Sequence, residues 1–278
     1  MENLLGLFDF GFFRNAFLAA LLASITCGII GTYIVSRRMV FISGGITHAS
    51  FGGIGMGYYF GFDPILGAVV FGIISALGVE FFTKKADLRE DSAIAMLWSL
   101  GMAIGIIFIF LTPGYAPNLM SYLFGNILTV SKADLIFMFL LSLIIIGFFA
   151  AFYRMILFVS FDEEFALTNN VPVRLFNAIL ISLVALTIVV NIRVVGIILV
   201  ISLLTIPQAI ANLFTKQFYP MLIASIFSGF IGSMIGLVLS YHYDIPSGAA
   251  IIFTLVVLYG LLKSFFLIRI KYSIKSRK

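Results

Sequence analysis

Phe161-Asp162-Glu163-Glu164-Phe165-Ala166-Leu167-Thr168-Asn169-Asn170-Val171-Pro172-Val173-Arg174 is a compact, charged, proline-broken segment set between two long apolar stretches. It is too short to bury a core of its own. The sequence on either side is apolar for about the 20 residues that a membrane-spanning helix needs. A chain that is otherwise suited to lipid and carries one small structured surface element is expected to meet a partner there, so the segment reads as a docking handle.

Working outward, the composition agrees. Of 278 residues, 62% are hydrophobic and 10% charged, whereas a soluble domain carries about 25% charged residues. The 25 glycines fit as well, because glycine is more frequent in membrane helices than in soluble ones. The expected class is an all-α polytopic membrane protein with a single domain over residues 1–278. The net charge of +5 is not a nucleic-acid signal. Lys263, Arg269, Lys271, Lys275, Arg277 and Lys278 crowd the end of the chain and make residues 269–278 a basic tail suited to anionic cytoplasmic lipid. Cys27 is the one cysteine, so no intrachain disulfide is possible, and it reads as a small buried hydrophobe. No basic segment precedes the first apolar run, which is expected to be kept as a helix and not cleaved as a signal.

Candidate spans are 16–36, 44–60, 62–82, 92–111, 134–158, 174–192, 195–212, 219–241 and 247–268. The second and seventh are short and rich in glycine or proline, which leaves eight spans plus a re-entrant segment open beside nine. Residues 113–128, with Pro113 and Pro117, read as a less regular connection. With 161–174 placed inside, Arg37-Arg38, Lys84-Lys85 with Arg89 and the basic tail also fall inside. Only Arg14, Lys132 and Arg193 remain outside, as the positive-inside rule asks. Nine spans put the N-terminus outside and the C-terminus inside; eight would flip the N-terminus.

The chain has no GxxxxGK[ST] phosphate loop, no HExxH, no CxxC and no GxSxG. Energy other than an ion gradient must therefore come from another subunit. The second span is the most unusual helix, Ser43-Gly44-Gly45-Ile46-Thr47-His48-Ala49-Ser50-Phe51-Gly52-Gly53-Ile54-Gly55-Met56-Gly57. At about 100° per residue, Gly44, His48, Gly52 and Gly55 fall within roughly 80° of one another. Small residues let neighbouring backbones approach closely, so His48 is expected to face protein or a cavity. It is a candidate metal ligand, since intramembrane ionisable groups mark functional sites and imidazole is the commonest metal ligand; the competing reading is a histidine that only hydrogen-bonds a neighbouring helix. His242, beside Asp244, reads as a surface histidine, and Asp63 before Pro64 as a helix-start residue. The run Ala86-Asp87-Leu88-Arg89-Glu90-Asp91 reads as a solvated helix entry, with acids favoured in the first turn, or as a second contact for a cytosolic partner. Pro172 stands where a short helix stops or a spanning helix begins.

At these residues the sequence resembles the integral-membrane permeases of ABC transporters that import zinc, manganese or iron. The ordered matches are Gly31-Thr32-Tyr33-Ile34-Val35-Ser36-Arg37-Arg38-Met39 leading to Thr47-His48-Ala49; Asp87-Leu88-Arg89-Glu90-Asp91-Ser92-Ala93-Ile94; Tyr122-Leu123-Phe124-Gly125-Asn126; Asp162-Glu163-Glu164-Phe165-Ala166 with Val171-Pro172; Val195-Gly196-Ile197-Ile198-Leu199-Val200 through Leu204-Thr205-Ile206-Pro207; and Asp244-Ile245-Pro246-Ser247-Gly248. They span about residues 14–268.

The resemblance implies an eight- or nine-helix permease of the vitamin-B12-importer type (type II), in the bacterial cytoplasmic membrane and itself non-catalytic. It further implies a second permease copy as homodimer partner, cytosolic ABC ATPase subunits docked on Asp162, Glu163, Glu164, Phe165 and Pro172 within the segment 161–173, and an extracytoplasmic metal-binding protein. No cofactor would be held permanently, and the divalent metal ion would be cargo, met by His48. Two departures matter. The family commonly carries an acidic residue three positions before the histidine, where this chain has Gly45. A hard carboxylate suits Mn²⁺ best whereas imidazole suits zinc as well, so zinc is the expected cargo, with manganese or iron as alternatives. Asn170 stands where the family usually has glycine, and asparagine tolerates a left-handed backbone.

Two rival classes fit less well. An ion-gradient carrier needs intramembrane carboxylates, and no Asp or Glu falls mid-span. An intramembrane hydrolase needs a nucleophile beside a base, and Thr47 or Ser50 do not face His48 on one helix.

Overall fold

The computed structural model describes residues 4–85, 88–113 and 125–275, and among these it is helical with short connections. In chain order the helices are α1 (Gly11–Ser36), α2 (Val40–Phe60), α3 (Pro64–Lys85), α4 (Glu90–Leu111), α5 (Lys132–Ala151), α6 (Tyr153–Phe161), α7 (Glu163–Thr168), α8 (Val173–Val195), α9 (Ile197–Leu203), α10 (Ile206–Phe214), α11 (Phe218–Tyr243) and α12 (Ser247–Lys275). Local chemistry sets the ends. Gly61 closes α2 in the left-handed region at φ 74°. The Asp63 carboxylate accepts from the Ile65 amide at 2.7 Å just before Pro64 opens α3. Ser131 and Asp134 form a reciprocal capping box at the start of α5, and Glu90 and Asp91 occupy the positive N-terminal turn of α4.

Several expected spans differ from the observed helices: the first begins at Gly11, five residues early, and the last runs on to Lys275. The second begins at Val40, four residues early. The fifth, expected over 134–158, is two helices broken at Phe152, whose backbone leaves the helical region at ψ 21°. The seventh, expected over 195–212, is the pair α9–α10, interrupted at Leu204-Thr205. Most of the connection 113–128, including Tyr122-Leu123-Phe124, and also Ala86-Asp87 and Arg277-Lys278 lie outside the described residues.

Side-chain contacts sort the helix ends into two groups. At one end Arg37 meets Glu163, Glu80 and Glu90 share a cavity with both, Phe161 meets Phe218 and Phe214 meets Phe266. At the other end Asp134 pairs with Arg193 at 2.7 Å, Asp63 shares a cavity with both, and the Asn15 amide donates to the Val130 carbonyl at 3.3 Å. Eight helices, counting α9–α10 as one, are long and apolar enough to cross a membrane. The helix α2 is not among them because its glycines and His48 lower its apolarity. Yet it has 21 residues, about 31 Å at 1.5 Å per residue, and it runs from the Arg37 end to the Asp63 end. With those eight, the described residues make nine passes. The basic residues gather at the Arg37 end, which the positive-inside rule makes cytoplasmic.

The helix α2 lies in the centre, wedged between α3 and α4 by glycine. A Cβ on Gly53 would stand 2.0 Å from the Gly67 carbonyl oxygen of α3, and one on Gly55 would stand 2.4 Å from the Gly105 carbonyl oxygen of α4. These are backbone-to-backbone contacts, so no rotamer can relieve an added methyl. Gly53→Ala or Gly105→Ala is expected to destabilise by about 1–3 kcal/mol, the usual cost of overpacking. Gly147→Ala, with nothing within 4 Å of the new carbon, should be neutral or slightly stabilising. Thermal denaturation of the detergent-solubilised variants checks the contrast.

Candidate functional site

The glycine face of α2 packs as its periodicity predicts. Gly52 lies under the Gly101 carbonyl and the Phe71 ring, and Gly55 under Gly105. His48 sits on this face, half-buried, with its ring stacked on Trp98 of α4 at 4.2 Å and 5°. Its Nδ1 is buried and has no hydrogen-bond partner in the chain. The bland alternative, a histidine held by a hydrogen bond to a neighbouring helix, therefore has no bond at Nδ1 to rest on. Gly45 faces the same helix one turn away, and a Cβ there would stand 2.6 Å from Ile94 Cγ2. The missing carboxylate is thus replaced in space by the branched side chain of Ile94, which fills the ground between α2 and α4.

Among the described residues no three His, Cys, Asp or Glu side chains converge to hold a metal ion. His48 can contribute one nitrogen and no more.

The segment 161–173 is a short helix, α7, presented at the cytoplasmic end. Asp162 caps it, its carboxylate accepting from the Phe165 amide at 2.9 Å. Asn170 turns the chain back at φ 58°, the left-handed turn that asparagine tolerates, and Pro172 leads directly into α8. Ala166 and Val171 are buried beneath it, while Phe161, Glu164, Phe165, Leu167 and Pro172 are exposed. Glu163 behaves differently from the expectation that both glutamates face a partner. Its Oε1 accepts from the Arg37 guanidinium at 2.8 Å and from the Asn177 amide at 3.1 Å, so it is turned into the chain. The Glu164 carboxylate remains on the surface.

Other residues fall as read. Cys27 is buried and free, and His242 is exposed against Tyr243. Gly125, at φ 60°, would drive a Cβ to 2.3 Å from the Gly196 nitrogen, so two of the matched motifs meet at the outer end. Three partners were not legible beforehand: Trp98, Arg37 as the holder of Glu163, and Asn177. The single tryptophan carried no spacing signal toward His48, because the two stacked rings belong to different helices.

A profile of the ABC 3 transport family matches residues 9–266. The chain is 41% identical over 241 residues to a probable metal transport system membrane protein of Chlamydia pneumoniae, covering 84% of this chain and 82% of that one. It is 34% identical over 265 residues to a manganese transport system membrane protein of Halalkalibacterium halodurans, covering 94% and 91%. Among solved structures it superposes on a chain of PsaBC from Streptococcus pneumoniae in complex with a Fab, with a TM-score of 0.83, 30% identity and 92% of both chains covered.

Proposed function

Because this chain belongs to the ABC 3 transport family, as a permease of metal-type ABC transporters in the bacterial cytoplasmic membrane, we propose that it imports a divalent metal ion past His48, driven by ATPase subunits docked on α7. The observation that carries this reading is the half-buried imidazole of the central helix, whose Nδ1 lacks a partner. A group left in that state inside a membrane protein costs stability and is accounted for by an intermittent ligand. The exposed Phe165 and Leu167 beside Glu164 supply the apolar centre and polar rim of a protein contact. With no phosphate loop of its own, the chain depends on the ATPase for energy, and a binding protein outside would deliver the ion. Since each chain offers one histidine on α2, a homodimer would set two along a shared route.

Two lines bear on the ion. Imidazole without a neighbouring carboxylate favours zinc by ligand chemistry, whereas the name of the relative from Halalkalibacterium halodurans carries manganese. The test is reconstitution in vesicles with the cognate ATPase and binding protein. The permease alone should hydrolyse no ATP, and the complete set should take up Mn²⁺ or Zn²⁺ only with ATP. Competition between the two ions ranks them. ATP turnover by the pure chain, or uptake that follows an ion gradient without ATP, would reject the reading.

A further inference from the structure

At the cytoplasmic end one carboxylate oxygen gathers three elements. Arg37 follows the last residue of α1, and its own backbone amide donates to the Tyr33 carbonyl at 3.0 Å. The next residue, Arg38, turns the chain at φ 59°, and the Met39 amide returns to the Ile34 carbonyl at 2.9 Å, so α1 and α2 meet in a tight corner. From that corner the Arg37 guanidinium reaches in two directions. Nη1 donates to the Val159 carbonyl in the last turn of α6 at 2.7 Å, and Nη2 donates to Glu163 Oε1, on the first residue of α7, at 2.8 Å. The same Oε1 accepts from Asn177 of α8, a residue only 3% exposed. The pair is partly shielded, the Arg37 side chain being 21% exposed and that of Glu163 37%. A charge-assisted bond in such a place is stronger than a surface pair and geometrically more demanding.

We propose that Arg37 is a positioning residue for transport: through Glu163 it carries displacement of α7 to the α1–α2 corner, and thence to the helix that bears His48. The arrangement gives each donor a distinct task. Asn177 holds the carboxylate against α8, which continues α7 in the chain. Arg37 holds the same oxygen against a corner that is remote in sequence. Its second nitrogen fixes the guanidinium plane on the Val159 carbonyl, so movement of Glu163 is transmitted along the bond and not lost to side-chain rotation. Arg37 lies on the inner side of α7, away from the exposed Phe165 and Leu167, and has no part in holding the ATPase.

The proposal rests on reading α7 as the ATPase-docking element, and the experiment separates the two. Arg37→Gln, Glu163→Gln and the swap Arg37→Glu/Glu163→Arg are made in the full permease. Each is co-purified with its ATPase and reconstituted for Mn²⁺ uptake, with Zn²⁺ in parallel. The single variants are expected to retain the ATPase and its hydrolysis within about twofold, while ions moved per ATP fall at least tenfold. The swap is expected to recover part of that ratio, because Asn177 can turn its amide to accept from an arginine, whereas a glutamate at position 37 cannot donate to the Val159 carbonyl. A normal ratio of ions to ATP in Arg37→Gln would overturn the proposal. So would equal loss of stability, hydrolysis and uptake in all three, which would make the pair merely structural. Retention of the ATPase by surface variants at Phe165 and Leu167 would instead reject the docking reading.

Discussion

His48→Ala is expected to reduce metal uptake at least tenfold, to near background, while expression and ATPase retention stay close to those of the unaltered protein. The substitution removes the imidazole proposed as the ligand on α2, whereas the change itself is mild. The site is half-buried and the smaller side chain creates a modest gap beside Trp98, so the stability cost should fall at or below the range of large-to-small core changes, about 2–5 kcal/mol. His48→Gln discriminates between roles. An amide keeps one hydrogen bond but is a poor ligand for a transition metal, so uptake should remain low; recovery by glutamine would show that His48 only packs. Trp98→Ala should produce a partial defect, because the stacked ring fixes the plane of the imidazole and hence the direction of its lone pair. Restoring a carboxylate at position 45 requires space as well as charge. Gly45→Asp alone meets Ile94 at 2.6 Å, so the change is made with Ile94→Ala, and the double variant should move preference toward Mn²⁺ over Zn²⁺. Uptake of both radioactive ions by all variants checks these expectations, and near-normal uptake by His48→Ala would remove the residue from the path.

The second large effect is expected at α7. Leu167→Asp with Phe165→Asp should release the ATPase, lowering its retention about 30-fold or more. Truncating or charging a central apolar anchor typically costs 2 kcal/mol or more, and each 1.4 kcal/mol is tenfold. Both side chains are exposed, Leu167 at 61%, although the Phe165 ring also meets Phe158 edge-on at 5.1 Å, so Leu167 is the cleaner single change. Glu164→Lys should weaken retention less and in a salt-dependent way, as exposed charges do. Glu163 is unsuitable for this test, because reversing it would break the bond to Arg37 and alter the interior of the chain. Co-purification in detergent, with thermal stability as control, decides the matter; undiminished retention together with normal ATP-dependent uptake would reject α7 as the docking element.

Much of this architecture is legible in the residues. Apolar runs of bilayer length place most passes, and the distribution of Lys and Arg orients them. The spacing of Gly44, His48, Gly52 and Gly55 identifies the packed face of α2 because one side chain per turn reports directly on a helix surface. Asp63-Pro64 and Asn170 announce their turns through local backbone chemistry. The break at Phe152 was not legible, since neither glycine nor proline marks it and apolar residues continue on both sides. The inward turn of Glu163 was hidden for a different reason. Glu163 and Glu164 are chemically alike and adjacent, and only the approach of Arg37, 126 positions away, tells them apart. Trp98 escaped because its partner is the imidazole of another helix, and stacking leaves no periodic trace in either sequence.

The rigid wedging of α2 has a geometric consequence. Its glycine contacts with α3 and α4 are backbone to backbone, so in the proposed stroke the three helices would swing as one body about the α1–α2 corner, with α2 as the lever. His48 lies eight residues beyond Val40, an arm of about 12 Å at 1.5 Å per residue. A tilt of roughly 10° sweeps the imidazole through about 2 Å, the length of a metal–nitrogen bond. In the proposed transport cycle an angular change that small would be enough to make a metal–imidazole bond on one side of the stroke and sever it on the other.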